Sequence, residues 1–231
     1  MKIIARCHPQ LEPLLPRPVP AAQALPGWLR AMPGQVEAET LGGAPIRTLK
    51  HCPPFIDALS LGLMIPLATD LHVKDGEISW DWDPPIIPDA PLTRAPIGLH
   101  APEQASGMPV NLDARMVIKF TNFWTLEAPA GWSLLFTHPL NRADLPFQTL
   151  SGVVDCDLFG LGYVHFPALW TDTKFEGTLP AGTPVAQVIP VPREAVGCET
   201  TALNSGEVTQ SREIQEALQA ETGVYRRRFR H

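Results

Sequence analysis

The 231-residue sequence is poor in the features that mark several large classes of protein. It has four cysteines, Cys7, Cys52, Cys156 and Cys198, and no Cys-x-x-Cys pair among them. Structural zinc sites bring thiols in close-spaced pairs, and disulfide-stapled secreted domains are far denser in cysteine, so four reduced thiols are expected. No apolar run approaches the length of about 20 residues that crosses a bilayer, and Met1–Cys7 is a short stretch before Pro9, not a secretory leader. A soluble, cytoplasmic chain with no membrane partner is the expectation. Positive charge is scarce too: Lys and Arg number 18 against 24 Asp and Glu, a formal net charge of −6. Proteins that grip duplex nucleic acid gather Lys and Arg on one face to displace phosphate counterions, and no such stripe exists here, which argues against that partner. The one basic run, Arg226, Arg227, Arg228 and Arg230, reads either as a solvated tail or as an arm that grips phosphate or a partner. No internal repeat is visible.

What the chain has in excess is proline, 26 residues of it. Proline fixes φ and removes a backbone donor, so this number argues against a helical bundle and for short strands joined by stiff irregular connections. The hydrophobic share of 45% is enough for one large core, and a single domain over 1–231 is expected. Residues 9–54 read as a proline-rich arm within it, able to wrap its own core or a neighbouring subunit, with one or two helical turns at Gly27–Met32. Lys2–Arg6 reads as an opening strand, Cys52–Leu59 as a rigid turn into a short helix, and Leu63–Leu67 and Leu71–Lys74 as strands. Asp75-Gly76 carries the turn chemistry of a hairpin into Glu77–Trp82. Pro84–Pro109 reads as a long surface connection.

The core β region is expected over 110–195. In Arg115–Phe120, Met116, Ile118 and Phe120 alternate with Arg115, Val117 and Lys119; in Gly131–Thr137, Trp132, Leu134 and Phe136 alternate with Ser133, Leu135 and Thr137. Leu150–Val154, Gly162–Phe166, Phe175–Leu179 and Val185–Val191 continue at short intervals, the pattern of a sandwich or barrel. Ser211 is placed to cap a helix over Arg212–Thr222, ended by Gly223.

Two pieces of this region resemble one family. Gly152-Val153-Val154-Asp155-Cys156-Asp157 is similar to the G-[VI]-I-D-x-D hairpin motif of dUTPases and dCTP deaminases, and Pro180–Val188, with Ala186-Gln187-Val188, to their x-x-G-x-x-[IV]-A-Q-[LV] motif. The resemblance implies a mainly β fold, a β-clip-like barrel or sandwich, here with the proline-rich N-terminal arm and a short C-terminal helix. It implies Asp155 as the carboxylate that activates water, a hairpin backbone that reads a pyrimidine edge, Gln187 bordering the same pocket, Mg²⁺ on the phosphates, and a homo-oligomer, a trimer, with sites between subunits. The family's Tyr-Arg-Gly after its aspartates is replaced by Leu158-Phe159-Gly160, its Arg-Ser phosphate motif by Thr137–Arg142, and its C-terminal glycine-rich motif is missing. The Lys50–Asp57 and Thr137–Arg142 runs also resemble a group of sequences met in phage and bacterial genomes.

Several residues admit two readings. Asp155 is a general base or a turn carboxylate; Asp157 faces a metal or accepts backbone N–H bonds. His138, with Asn141 and Arg142, captures phosphate or is a hydrogen-bonded strand end. His165, with His138, Asp155 and Asp157, could form a His/carboxylate iron or zinc site. His51-Cys52 could pair a base with a nucleophile, or Cys52 is a small residue before a proline turn. Trp80, Trp82, Trp124, Trp132 and Trp170 line a ligand pocket or pack a core. Three functions follow: a dUTPase-like protein that binds or hydrolyses a nucleotide, with Asp155 catalytic and Mg²⁺ as cofactor; a non-catalytic phage-type accessory module; or a metal enzyme acting on another substrate.

Overall fold

A computed structural model describes residues 1–88, 93–109 and 116–230. The strands in chain order are β1 (Ile4–Arg6), β2 (Val19–Pro20), β3 (Gln35–Ala38), β4 (Ala44–Arg47), β5 (Leu63–Pro66) and β6 (Leu71–Lys74). Then come β7 (Glu77–Ser79), β8 (Ile97–Leu99), β9 (Val117–Phe120), β10 (Thr125–Glu127) and β11 (Trp132–Thr137). The last are β12 (Phe147–Thr149), β13 (Gly152–Val154), β14 (Phe166–Trp170), β15 (Gly177–Leu179) and β16 (Pro184–Pro192). Helices are α1 (Gly27–Ala31), α2 (Pro53–Ser60), α3 (Ser205–Ala220) and α4 (Val224–Arg228). The mainly β expectation is borne out, and so is the C-terminal helix. Contacts divide the chain into Met1–Arg193 and a small unit from Glu194 onward.

The larger unit is built from antiparallel sheets. One has the order β13-β11-β16-β5-β2, a second β12-β14-β9-β8 and a third β15-β6-β7, while β1 pairs with β10 and β3 with β4. The main core lies among the first three and includes Ile118, Phe120, Leu134, Phe147, Phe166 and Val188, all 2% exposed or less. Burying side chains of this size stabilises by roughly 1.5–3 kcal/mol each, which outweighs the entropy of fixing such short strands only because so many converge on one cluster. The expected alternation of β11 appears as buried Leu134 and Phe136, and β16 is buried from Val185 to Val188, as a strand covered on both faces must be.

The arm over 9–54 lies against its own unit. Leu11 and Leu15 are buried with Phe123 and Trp124, the Trp124 indole donates to the Pro16 carbonyl at 3.1 Å, and β2 completes an edge beside β5. Gly62, at φ +71° just before β5, lies so close to β16 that a Cβ there would meet the Val188 carbonyl oxygen at 1.9 Å.

Several boundaries differ from expectation. The 84–109 connection contains β8 and a 3₁₀ turn at Pro102–Ala105; its residues 89–92 lie outside the described set, as does Arg115 at the head of its expected strand. Residues 162–165 are not a strand; β14 starts at Phe166 and pairs with β9 and β12. The terminal helix begins at Ser205, not Arg212, because Asn204 accepts the Gly206 and Glu207 N–H groups while Glu207 reaches back to the Asn204 N–H, a reciprocal cap that satisfies the first turn. Of these five tryptophans, Trp124 and Trp170 are buried, Trp132 rests on the main core, Trp82 meets Phe123 edge-on at 4.9 Å, and Trp80 both packs on the main core and lines a groove beside β7. Among the described residues no helix is long and apolar enough to cross a membrane.

Candidate functional site

β11 separates the candidate residues into two groups. Its register places Leu134 opposite Val154, so Ser133 faces the turn that begins at Asp155. The Ser133 hydroxyl donates to Asp155 Oδ1 at 2.5 Å, and Arg193, one residue beyond β16, sets Nη1 3.2 Å from Asp155 Oδ2. These donors, Ser133 foremost and Arg193 with it, hold the Asp155 carboxyl below the usual carboxylate range, so it is ionised at neutral pH. Its side chain is 52% exposed on the open edge of the sheet, and each oxygen keeps a lone pair free for solvent.

Asp157 is turned the other way. Its side chain is 6% exposed, and its Oδ2 accepts the Gly131 N–H at 2.9 Å and the second arm of Arg193. Oδ1 is buried without a hydrogen-bond partner. Between the aspartates, burial and both carboxylate charges push the Cys156 thiol up to about 11, which makes it an inert core group. The turn is closed by the Leu158 and Phe159 N–H groups on the Asp155 carbonyl. Among the described residues no strand returns along β13, so in place of the hairpin implied by the resemblance there is an edge strand followed by a turn. Val153, Leu158, Phe159 and Leu161 are exposed around it, Leu158 by 80%.

The second group sits at the far end of β11. Gln187 pairs with Thr137 and is fully buried. Its carbonyl accepts the Leu140 N–H at 2.8 Å, and its amide donates to the carbonyls of Ala58 and Leu61 at 2.9 and 2.7 Å. Arg142 is buried and bidentate on Asp144, at 2.8 and 2.9 Å. Burial opposes the Asp144 charge, but Arg142, with smaller help from the Trp28 indole, outweighs it and lowers that carboxyl. His138 accepts the Thr149 N–H on Nδ1 at 3.2 Å, so Nε2 carries the proton shared with the Arg142 carbonyl at 3.0 Å. Burial is the main influence on this imidazole and pushes its pKa down, which keeps it neutral. Asn141 is exposed, in the left-handed region at φ 59°.

The structure therefore does not bring the expected site together within one chain. Ser133 and Thr137 are four residues apart on β11, so Asp155 and Gln187 are separated by about 16 Å along and across the sheet. His165 belongs elsewhere, at the start of β14, where its Nδ1 accepts the Asn122 N–H at 3.1 Å and burial, then Lys119, lowers its pKa. Among the described residues no group of three or more His, Cys, Asp or Glu side chains is placed to hold a metal ion, so the Asp157–His165 metal reading has no donor set. A groove of about 590 Å³ lies between β7 and β8, lined by Ile78, Trp80, Ile97, Leu99 and Met116 among others; of the candidate residues Trp80 borders it, and none of the candidate polar residues does.

Arg193 was not among the expected residues. Nothing in the sequence places it near Asp155; the signal is a register, Trp132 opposite Pro192, which carries the next residue onto Gly131 through its N–H.

No family model and no curated protein matches the chain. The solved structures similar to it include phage dUTPases. A mutant dUTPase from phage phi11 of S. aureus, described with a structural Mg(II) ion, is 12% identical with a TM-score of 0.28, over 47% of this chain and 98% of that one. A Staphylococcus bacteriophage 80alpha dUTPase mutant with dUpNHpp is 13% identical with a TM-score of 0.28, over 47% and 89%. A second 80alpha dUTPase mutant is 12% identical with a TM-score of 0.31, over 63% and 85%. Scores of this size bear no weight on fold or chemistry.

Proposed function

We propose that the chain binds a pyrimidine nucleoside triphosphate and directs water at it from Asp155. The observation that carries this reading is the state of that carboxylate: half-exposed at an open sheet edge, ionised, fixed by Ser133 and Arg193, and still able to accept from water. It stands in the segment that resembles the dUTPase motif. In the reaction, a water oxygen bonds to the α-phosphorus, the α–β bridging P–O bond breaks, pyrophosphate leaves, and Asp155 takes the water proton, a role worth about 10²–10⁴ in rate.

Magnesium does not fit the residues present. Oδ2 of each aspartate faces the Arg193 guanidinium, and a cation bridging those two oxygens would have to displace it. No step is assigned to a metal. Since His138, Asn141 and Arg142 lie at the other end of β11, a site that used both groups would be shared between copies of the chain, and the exposed Val153, Leu158, Phe159 and Leu161 beside Asp155 offer an apolar surface for such a copy. A homo-oligomer, with a trimer as its form, is part of the proposal.

The test is pyrophosphate release from dUTP and other nucleoside triphosphates, with and without Mg²⁺, and the melting shift each ligand produces. Asp155→Asn should lower turnover at least about 100-fold; unchanged turnover removes Asp155 from the mechanism. A second reading, a non-catalytic interaction module, is favoured by one observation: Gln187 is wholly consumed by the fold, as is Arg142, which leaves Asp155 as the open group of the resembled motifs. Absence of any nucleotide-induced shift would select it.

A further inference from the structure

Arg193 connects Gly131, Asp157 and Asp155 at this end of β11. Its own N–H donates to the Gly131 carbonyl at 3.0 Å, and the Gly131 N–H donates to Asp157 Oδ2 at 2.9 Å. That same oxygen accepts one guanidinium arm, and the other arm faces Asp155 Oδ2 at 3.2 Å. The circuit is closed: backbone to glycine, glycine to buried aspartate, aspartate to guanidinium, guanidinium to exposed aspartate. Gly131 can take part because it holds φ at +81°, a conformation L side chains rarely adopt. Pro190 and Pro192 stiffen the strand that delivers Arg193.

We infer that Arg193 is the positioning residue of this site, braced by Asp157 so that its free arm fixes Asp155 toward the open edge. The inference rests on the proposed function for its meaning and on the circuit for its geometry. It gives Asp157 a role other than metal binding: a carboxylate 6% exposed, with one oxygen lacking any donor, is tolerated because it orients the cation that orients the reactive carboxylate. A guanidinium suits this position because its planar fork offers two arms in fixed relation, whereas an ammonium is a single point of charge. Asp155 keeps lone pairs for water because Ser133 and Arg193 each occupy only one side of one oxygen.

The rival account is that Arg193 forms only a partly exposed ion pair of little consequence, with Ser133 alone holding Asp155. The experiment is a carboxyl-carbon NMR titration of Asp155 in the full chain and in Arg193→Ala and Arg193→Lys, with pH–rate profiles on dUTP alongside. Arg193→Ala should raise the Asp155 titration midpoint toward that of an ordinary aspartate, move the acid limb of kcat up with it, and lower kcat by up to about 100-fold at unchanged KM. Arg193→Lys restores the charge without the fork, so its midpoint should fall between the two while kcat stays depressed. If Arg193→Ala does not fold, the lysine variant carries the test alone through a midpoint above that of the unaltered chain. Midpoints and kcat equal to those of the unaltered chain would overturn the inference. If the unaltered chain turns over no nucleotide while the midpoints move as stated, the nucleotide reading falls and the clamp stands, because the titration needs no substrate.

Discussion

The two ends of β11 hold the same kinds of residue in opposite roles. At the Thr137 end, Gln187 and Arg142 are buried and His138 is half-buried, and their hydrogen bonds are spent on backbone or on Asp144. At the Ser133 end, Asp155 is half-exposed and its partners leave it room to accept more. Polar side chains in a resembled motif thus divide by a simple criterion: a buried group with every bond satisfied within the chain is part of the fold, and a fixed group with spare lone pairs facing solvent is available for chemistry.

That contrast can be broken by substitution. Gln187→Leu leaves the Leu140 N–H and the carbonyls of Ala58 and Leu61 without their partner in a dry interior, and should cost about 3 kcal/mol in urea unfolding. Arg142→Ala removes the bidentate partner of Asp144 from a largely buried site and should cost about 2 kcal/mol. Were Gln187→Leu neutral in stability but harmful to nucleotide binding, the two ends would have been assigned the wrong way round.

Acidification sharpens the contrast. His138 and His165 both have pKa values lowered by burial. Above the ordinary histidine value near 6.5 neither folded nor unfolded chain is protonated there, and the full stability is present. As pH falls below it the unfolded chain takes up protons that the folded chain resists, so stability drops until the folded values are passed. The melting temperature should therefore decrease between pH 7 and 5, and His138→Asn, which keeps an acceptor near the Thr149 N–H and does not titrate, should flatten part of the decline. Asp144 and Asp155, whose values are lowered, withdraw their contributions only below about pH 4, outside that window.

The smallest effect is expected at the open end. Asp155→Asn should leave the urea-unfolding midpoint nearly unchanged while it lowers turnover. Stability and activity would then respond at opposite ends of one strand.

How much of this was legible beforehand depended on burial. β9 and β11 alternate because one face meets the core, and both were readable. β3 and β4 pair in register over four residues but leave nearly every position exposed, so no hydrophobic period marks them. β8 and β12, at three residues each, are too short for a period to show. The start of α3 was readable from Asn204 and Glu207, whose spacing is that of a reciprocal cap; Ser211 was the wrong choice of cap. The site was half legible. Asp155 could be singled out by its motif, but the role of Gln187 depended on which carbonyls α2 would leave near it, and that of Arg193 on a strand register between segments about 60 residues apart in sequence, which local pattern does not encode.

The edge position of β13 has a cost beyond the site. Among the described residues no strand pairs with its outer side, and with Val153 exposed that edge forms a template on which a strand from another chain could add, the ordinary route to aggregation. Only the shortness of the strand and the abrupt turn at Asp155 limit that growth, so a substitution that extended β13 past residue 154 would be expected to reduce solubility before it altered stability.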